Sequence, residues 1–482
     1  MTAFISTVGK SVLIWSIPVM KRKMSVFAAG ILFCCFSACA SVPEKTAPEN
    51  VPKETAASPN IVFVEKIQSA LESGDIDGAI RLFDTEMPES LKNDVDLEIL
   101  KASLLLSADR TEEASAVANR LLQSNPSNQD VLELSAEIAI ASGNKQSQTT
   151  IINQLLKADP NNATANIIQG NQQALKKKYK LALKNYQRAL ISEPDNQDAL
   201  FGYAQMCYYT NDINTSRETF NRLLQENPEN SLAWQYLGKL AAEDENYKAA
   251  TEYIQKAIEL EPERYDFYID LGQYMRNRGQ FAEAEKAWSK AIEIDPTYFL
   301  GYTYRAGLYD EQNKIKEALK DYHKIIETNP KYYFAYEEIG ILEFHEQNWQ
   351  VARQAFLKAE SIRSSSAYQM MIMITYMKEK KILDAKNYAQ KCMKTMNRES
   401  LDYKIMRLLH DQGPINAENA IIKDLDKETD KNKRGKMMFY FAMYYQLKGM
   451  DKVANEYFAK ITQMQTPLFF EYRLAEWALL QN

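Results

Sequence analysis

Apolar side chains downstream of residue 60 recur at spacings of three and four, as in Ala250, Ile254 and Ala257. Residues with these spacings share one face of an α-helix, so the pattern predicts amphipathic helices. A proline returns every 34 residues, and proline stops a helix because it lacks an N–H group and clashes with the preceding turn. The chain is therefore predicted to be all-α, with a repeating helical unit. The regularly spaced prolines are Pro126, Pro160, Pro194, Pro228, Pro262, Pro296 and Pro330.

Each unit combines small and large residues at fixed positions. With the proline taken as position 32, position 8 is glycine or alanine in all eight units, and position 24 is large in most of them. Small residues let two helices approach closely, and the large side chain fills the space that they leave. The small residues are Ala102, Ala136, Gly170, Ala204, Gly238, Gly272, Ala306 and Gly340, and the large ones are Tyr186, Phe220, Ile254, Trp288, Tyr322 and Phe356.

One unit shows the whole pattern. Trp234, Leu237 and Gly238 follow the spacing W-x-x-L-G, and Ala250 precedes Ile254 on the next helix. This pattern resembles the tetratricopeptide repeat, a helix–turn–helix unit of 34 residues. The resemblance implies a right-handed superhelical solenoid of such repeats, because one hairpin cannot bury its apolar stripe alone and neighbouring hairpins must stack.

The register divides the folded part of the chain into five segments. Residues 61–94 are predicted to form one degenerate repeat, and residues 95–364 eight repeats in register. Residues 365–435 are predicted to form further degenerate repeats, followed by a terminal repeat at 436–466. Residues 467–482 are expected to form a helix that caps the open end of the solenoid, where apolar surface is otherwise exposed.

The register also predicts the cost of two substitutions. Gly238→Leu should lower stability by about 1–3 kcal/mol, because it overpacks the interface between two helices. Trp234→Ala should cost about 3–5 kcal/mol, because it leaves a cavity.

The N-terminal residues are typical of a secretory signal. The basic segment Lys21–Lys23 precedes an apolar run at Ser25–Phe36, and small residues follow it. This order of basic, apolar and small regions marks a signal peptide. A start at Met20 would give a more typical signal, so residues 1–19 are an alternative upstream mis-start.

The segment Phe36-Ser37-Ala38-Cys39 resembles the bacterial lipobox, in which a cysteine after two small residues becomes the lipidated N-terminus. Phe36 stands where that family usually has an aliphatic residue. The resemblance implies a signal peptide over residues 1–38 and a lipid on Cys39. The alternatives are an uncleaved membrane anchor and cleavage at another residue.

Residues 39–60 are predicted to be a tether, because they contain four prolines and almost no large apolar side chains. With a lipid on Cys39, the protein would face the periplasm from a membrane of a bacterial cell envelope. Ala40 and Ser41 carry no aspartate of the enterobacterial inner-membrane retention type, so by that analogy the outer membrane is favoured. The lipid must hold the protein there, because the formal net charge is −6.

Composition narrows the chemistry that the chain can perform. The negative net charge argues against a nucleic-acid-binding function, which requires a basic surface. His345-Glu346 begins like a zinc protease motif, but Trp349 stands where the second histidine must be. Cys207 and Cys392 lie several repeats apart and cannot pair, because repeats touch only their neighbours. We therefore expect no cofactor, no metal, no small-molecule substrate, no disulfide and no catalytic residue.

The methionine-rich segment 370–377 offers two interpretations. Its methionines could form a soft binding surface, but their helical spacing favours packing in the core.

The remaining functional surface is the concave groove. In the family that the chain resembles, this groove is lined by the first helix of each repeat, around positions 2, 5, 9, 12 and 13. These positions carry acids, amides and aromatic rings here, which suit an extended peptide or a helix with Lys or Arg. The predicted groove residues are Asp198, Phe201, Gln205, Tyr208, Tyr209, Gln235, Lys239, Glu243, Asp266, Gln273, Arg276, Asn277, Thr303, Asp310, Glu311, Phe334, Glu337 and Phe344, with His345 beside them.

The leading hypothesis is a non-enzymatic scaffold that is lipid-anchored on the periplasmic side of an envelope membrane and binds partner proteins or peptides during assembly of an envelope complex. A cytoplasmic co-chaperone or regulator is the alternative if the N-terminus is not a signal. A subunit of an envelope enzyme has less support, because the repeats leave no room for a catalytic domain.

Overall fold

The computed structural model describes residues 58–413, 415–465 and 467–480. Within these residues the chain forms 25 α-helices and one short 3-10 helix at Glu89–Leu91, and no strand. The predicted signal peptide, Cys39 and the tether up to residue 57 lie outside the described residues. The first helix begins at Pro59, inside the predicted tether, because the first turn of a helix does not need the N–H that proline lacks.

The chain divides into two compact units, unit 1 up to Glu226 and unit 2 from Asn227. The described helices of unit 1 are α1 (Pro59–Glu72), α2 (Ile76–Thr85), α3 (Val95–Ser107), α4 (Thr111–Ser124), α5 (Gln129–Ala141), α6 (Lys145–Ala158), α7 (Ala163–Leu175), α8 (Tyr179–Ser192), α9 (Gln197–Tyr209) and α10 (Ile213–Glu226).

Unit 2 continues the same succession of helices of similar length. Its described helices are α11 (Ser231–Glu243), α12 (Tyr247–Leu260), α13 (Tyr265–Asn277), α14 (Phe281–Ile294), α15 (Phe299–Glu311), α16 (Ile315–Thr328), α17 (Tyr333–His345), α18 (Trp349–Ile362), α19 (Ser366–Lys378), α20 (Ile382–Met393), α21 (Leu401–Asp411), α22 (Ile415–Lys427), α23 (Lys431–Leu447), α24 (Asp451–Thr462) and α25 (Glu471–Leu480).

Consecutive helices pack as hairpins within each unit, as the repeat pattern predicts. In unit 1 the first helices of successive hairpins, α3, α5, α7 and α9, also contact one another. In unit 2 the same contact joins α11 and α13. The first helices of neighbouring repeats therefore lie side by side, which confirms an all-α fold of stacked helix–turn–helix repeats.

An asparagine two residues after the proline starts four of the first helices. In each case its side-chain oxygen accepts a hydrogen bond from the N–H three residues later, at 2.8–3.0 Å. This cap satisfies a backbone donor that the first helical turn leaves without a partner. The proline therefore ends one repeat while the asparagine begins the next. The capping residues are Asn128, Asn162, Asn196 and Asn230.

The turn inside each hairpin has a left-handed residue at position 15 of all eight repeats. Glycine, which adopts a positive φ without steric cost, occupies only two of these positions. The other six residues are polar or charged, so no residue type marks the turn in the sequence. The left-handed residues are Asp109, Gly143, Lys177, Asn211, Glu245, Gly279, Asn313 and Gln347.

In three of the four repeats with glycine at position 8, that glycine faces the large residue at position 24 of its own repeat. A Cβ on Gly170 would lie 2.8 Å from the Tyr186 ring, and one on Gly340 would lie 2.7 Å from the Phe356 ring. Trp288, which is fully buried, covers Gly272 in the same way. In these repeats the large side chain at position 24 fills the space that the small residue at position 8 leaves, as predicted.

Gly238 and Trp234 differ in how far they support the predicted costs. A Cβ on Gly238 would lie 3.3 Å from the Ala250 carbonyl oxygen, so a larger side chain would overpack this site. Trp234 is only partly buried, stacks on Tyr253 at 5.8 Å and donates to the Pro228 carbonyl oxygen. The predicted cavity cost for Trp234→Ala is therefore too large, because solvent would fill much of the space.

The remaining predictions about the core can be checked in the described residues. Met370, Met371 and Met373 are fully buried, which confirms that this stripe belongs to the core. Cys207 and Cys392 are buried free thiols.

The described residues contain neither a membrane-spanning helix nor a metal-binding cluster. No described helix combines the length and the apolar character that crossing a bilayer requires. No group of His, Cys, Asp and Glu side chains in the described part of the chain could hold a metal ion.

Candidate functional site

Unit 1 presents its predicted groove residues on α9. Tyr209 is 46% exposed and stacks on Tyr179 at 4.8 Å between ring centroids. Phe201 packs edge-on against Phe220 at 5.6 Å, so its ring belongs partly to the repeat interior. Burial raises the pKa of Asp198 to about 6. The exposed aromatic surface of this helix is therefore centred on Tyr209.

The first polar cluster of unit 2 joins α11 to α13. Gln235 is buried and donates to Asp270 at 2.7 Å, and Lys239 lies 3.5 Å from the same carboxylate. Asp266 accepts a weaker hydrogen bond from Gln235 and is paired with Arg264 at 3.0 Å. The neighbouring repeats are thus cross-linked by amide and carboxylate groups at their groove positions.

Asp270 is a member of this cluster that the repeat pattern did not identify. It occupies position 6 of its repeat, next to the positions taken as groove-lining. Burial raises its pKa, whereas Lys239 and Gln235 lower it. Its partners at positions 5 and 9 of the preceding repeat are the signal that could have identified it.

The cluster continues to α15, where Arg276 and Glu311 form an ion pair between adjacent repeats. Thr303 bonds back to the Phe299 carbonyl oxygen at 3.0 Å. The other predicted residues of this stretch, Gln273 and Asn277 on α13 and Glu243 on α11, lie on the same first helices.

The residues predicted on α17 divide between surface and interior. Phe334 is 36% exposed, whereas Phe344 is buried and meets Trp349 edge-on at 4.9 Å. Glu337 accepts a hydrogen bond from the Tyr368 hydroxyl at 2.5 Å, and burial raises its pKa. Phe344 thus packs between two helices of its own hairpin.

The last helix of the described chain, α25, lies over the groove positions of α15 and α17. Arg473 donates through both terminal nitrogens to the two carboxylate oxygens of Asp310, and it lies 3.8 Å from Glu338. The Trp477 ring lies 4.0 Å from the His345 ring. These contacts place a helix on residues that the repeat pattern predicted as groove-lining.

The repeat pattern did not identify Glu338, Arg473 and Trp477 as members of this arrangement. Glu338 occupies position 6, like Asp270. Arg473 lies 163 residues from Asp310 along the chain, and no repeat spacing connects the two. Asp310 and Glu338, on the first helices of neighbouring repeats, are the sequence signal of a site for a cation. The repeat pattern could not show that Arg473 supplies this cation.

Four models of the tetratricopeptide repeat match the sequence. They cover residues 99–170 and 305–367, residues 174–240, residues 232–264 and residues 265–298. Together these matches extend across most of the region predicted to contain eight repeats in register. A search among curated protein sequences found no significant match.

Solved structures of repeat proteins are similar to parts of the chain. The APC/C hetero-tetramer Cut9-Hcn1 matches at 15% identity over 67% of this chain, with a TM-score of 0.46, and the chain spans 64% of the length of that protein. Pseudomonas aeruginosa pilF matches at 17% identity over 42% of this chain and 93% of its own, with a TM-score of 0.38. A tetratricopeptide repeat protein from Parabacteroides merdae matches at 17% identity over 52% of this chain and 98% of its own, also with a TM-score of 0.38.

Proposed function

Because this chain belongs to the tetratricopeptide repeat family, we propose that it is a protein-interaction scaffold whose groove binds a partner protein or peptide. The observation that carries this proposal is the set of polar and aromatic side chains on the first helices of unit 2. Asp266, Asp270, Glu311 and Glu337 lie on three of these helices. Such a surface suits a segment that carries Lys or Arg.

Site-specific photo-crosslinking in the native host tests this proposal. A photoreactive residue at Phe334, which is 36% exposed on a first helix, should cross-link one discrete protein. The matched control is Ile191 on α8, a second helix, where the side chain is 66% exposed. A product at Phe334 alone supports binding on the first helices, whereas equal products at both positions would contradict it.

We also propose that a lipid on Cys39 anchors the protein on the periplasmic side of an envelope membrane, with the outer membrane favoured. The support comes from the order of basic, apolar and small residues before Cys39 and from the prolines after it. Stable anchoring needs more than one acyl chain, and a bacterial lipoprotein cysteine carries several by family analogy. The repeats would then hold partners near that membrane while an envelope complex assembles.

Labelled fatty acid supplied to the native host tests the anchor. The wild-type chain should incorporate label and sediment with membranes, and Cys39→Ala should do neither. Cys207→Ala is the control, because Cys207 is buried in unit 1 and should leave the label unchanged. An unlabelled wild-type chain in the cytosol would overturn this proposal and favour the cytoplasmic co-chaperone or regulator.

A further inference from the structure

The helix α25 is held on unit 2 by two kinds of contact. On one side, Leu474 and Ala475 are buried in the apolar core of unit 2 that α23 and α24 also line. On the other side, Arg473 and Trp477 reach the first helices α15 and α17. The contacts of Arg473 and Trp477 with α15 and α17 are unusual for a repeat protein. Repeats normally contact only their neighbours, and α15 lies several repeats before α25.

The Arg473 guanidinium compensates two carboxylates that are largely shielded from water. The Asp310 side chain is 12% exposed and the Glu338 side chain 14%. Burying a carboxylate is costly unless it is paired, and two adjacent carboxylates repel each other. Burial and Asp310 raise the pKa of Glu338 to about 8, while Arg473 lowers it. At neutral pH the Asp310 carboxylate therefore supplies the negative charge that Arg473 pairs with, and the Glu338 carboxyl group lies beside it as a polar neighbour.

An aromatic surface lies beside the cation site. The Trp477 ring covers His345 and packs against the apolar cluster that contains Tyr302 and Tyr322. The Arg473 guanidinium lies 4.1 Å from the Trp477 ring centroid. Residues four apart on a helix share one face, so the site contacts an arginine and an aromatic ring presented together.

We propose that Asp310, Glu338 and His345 form a binding site for an amphipathic helix that presents an arginine and, four residues later, an aromatic side chain, and that α25 occupies this site in cis. The proposal rests on the proposed function, since it specifies the partner of the same groove. A partner helix of this chemistry binds after α25 leaves, and its apolar side chains cover the surface that Leu474 and Ala475 cover. The apparent affinity of the groove is therefore its intrinsic affinity multiplied by the fraction of time that the resident helix is undocked.

A synthetic peptide with the sequence of residues 467–482 is the probe. The receptor is the full chain with Arg473→Ala and Trp477→Ala, which removes the two groove contacts but leaves the groove intact. Fluorescence anisotropy should show the labelled peptide binding this variant at least about tenfold more tightly than the wild-type chain, since bound α25 competes with it. Leu480→Ala is the matched control, because Leu480 is 83% exposed on the same helix and should leave the wild-type affinity unchanged.

Specificity separates this site from general apolar binding. A peptide with alanine in place of both its arginine and its tryptophan should lose binding to the variant. Adding Glu338→Gln and Asp310→Asn to the variant should also abolish binding of the unaltered peptide. If the altered peptide binds as well as the original, or if the carboxylate substitutions have no effect, the proposal is overturned.

A second measurement uses the wild-type chain, in case the double variant does not fold. With the chain isotope-labelled and the peptide unlabelled, excess peptide should accelerate amide hydrogen exchange in α25 relative to α24. Unchanged exchange in α25 at saturating peptide would refute displacement. Photo-crosslinking from Phe334 reports partner binding separately, so a lost peptide effect with a retained cross-link rejects this inference and leaves the proposed function standing.

Discussion

At the scale of single residues, the contact between Glu471 and Tyr440 shows how α25 depends on protonation. The Tyr440 hydroxyl oxygen lies 2.6 Å from Glu471 Oε1 and 3.1 Å from the Ala367 carbonyl oxygen. One phenolic hydrogen cannot serve both acceptors. Burial raises the pKa of Glu471 to about 7, and a protonated carboxyl group can donate to Tyr440, which leaves the phenolic hydrogen for Ala367.

This arrangement predicts that unit 2 loses stability as the pH rises. The pKa of Glu471 is about 7 in the fold against an ordinary 4.5, so the folded state binds the proton more tightly and stability falls between those values. Lys436 and Glu337 act on the same group in opposite directions. From pH 4.5 to 7, Glu471 should contribute a loss on the order of 3 kcal/mol in thermal unfolding. Glu471→Gln should remove this contribution, while Glu338, whose pKa is also raised, still titrates. The exposed neighbour variant Glu476→Gln should retain the contribution of Glu471, and an unchanged pH dependence in Glu471→Gln would contradict this account.

At the scale of secondary-structure elements, each hairpin depends on a left-handed turn and on a packed interface. Gly279 has a φ of 73° in such a turn, and a Cβ there would touch nothing within 4 Å. Gly307 lies inside α15, where a Cβ would also meet nothing. Substitutions at these two glycines therefore test backbone conformation alone, because an added Cβ would contact no neighbouring atom.

Alanine at the two glycines should act in opposite directions. Gly279→Ala should lower stability by about 1 kcal/mol, because alanine must adopt the left-handed conformation. Gly307→Ala should raise it by about 0.5–1 kcal/mol, because alanine favours the helix. Denaturant unfolding measures both changes, and a shift of the same sign in the two variants would show that the turn conformation does not contribute.

The buried interface can be tested with two tryptophans that differ in exposure. Trp288 is fully buried over Gly272 and donates to the Ile269 carbonyl oxygen at 3.2 Å. Trp288→Ala should cost about 3–5 kcal/mol, because it leaves a cavity and removes the indole hydrogen bond. Trp234→Ala should cost about 1–2 kcal/mol, because Trp234 is only partly buried. Equal losses in thermal melts of the two variants would refute this assignment.

At the scale of the whole molecule, local periodicity predicted the repeats and could not predict the position of α25. Prolines at a spacing of 34 and small residues at position 8 are local signals of helix ends and helix contacts, so the hairpins followed from the sequence. The left-handed residue at position 15 differs in type between repeats, so the sequence did not reveal this turn position. The pairing of Arg473 with Asp310 spans 163 residues and depends on where the chain returns after α24.

The repeat pattern predicted some residues of the candidate site and not others. The groove positions inherited from the repeat pattern placed Asp310, Glu337 and His345 on first helices, where the structure has them. Phe344 packs inside its hairpin and is buried. Asp270 and Glu338 stand one position outside the pattern, and only the contacts between repeats bring them to the groove.

The central claim is that partners bind along the first helices of the repeats. The most direct test is amide hydrogen exchange of the full chain with and without the purified partner identified by cross-linking from Phe334. We expect slower exchange with partner in α13, α15 and α17, and unchanged exchange in the second helices α14, α16 and α18. Slower exchange confined to the second helices, or no difference with saturating partner, would contradict the claim.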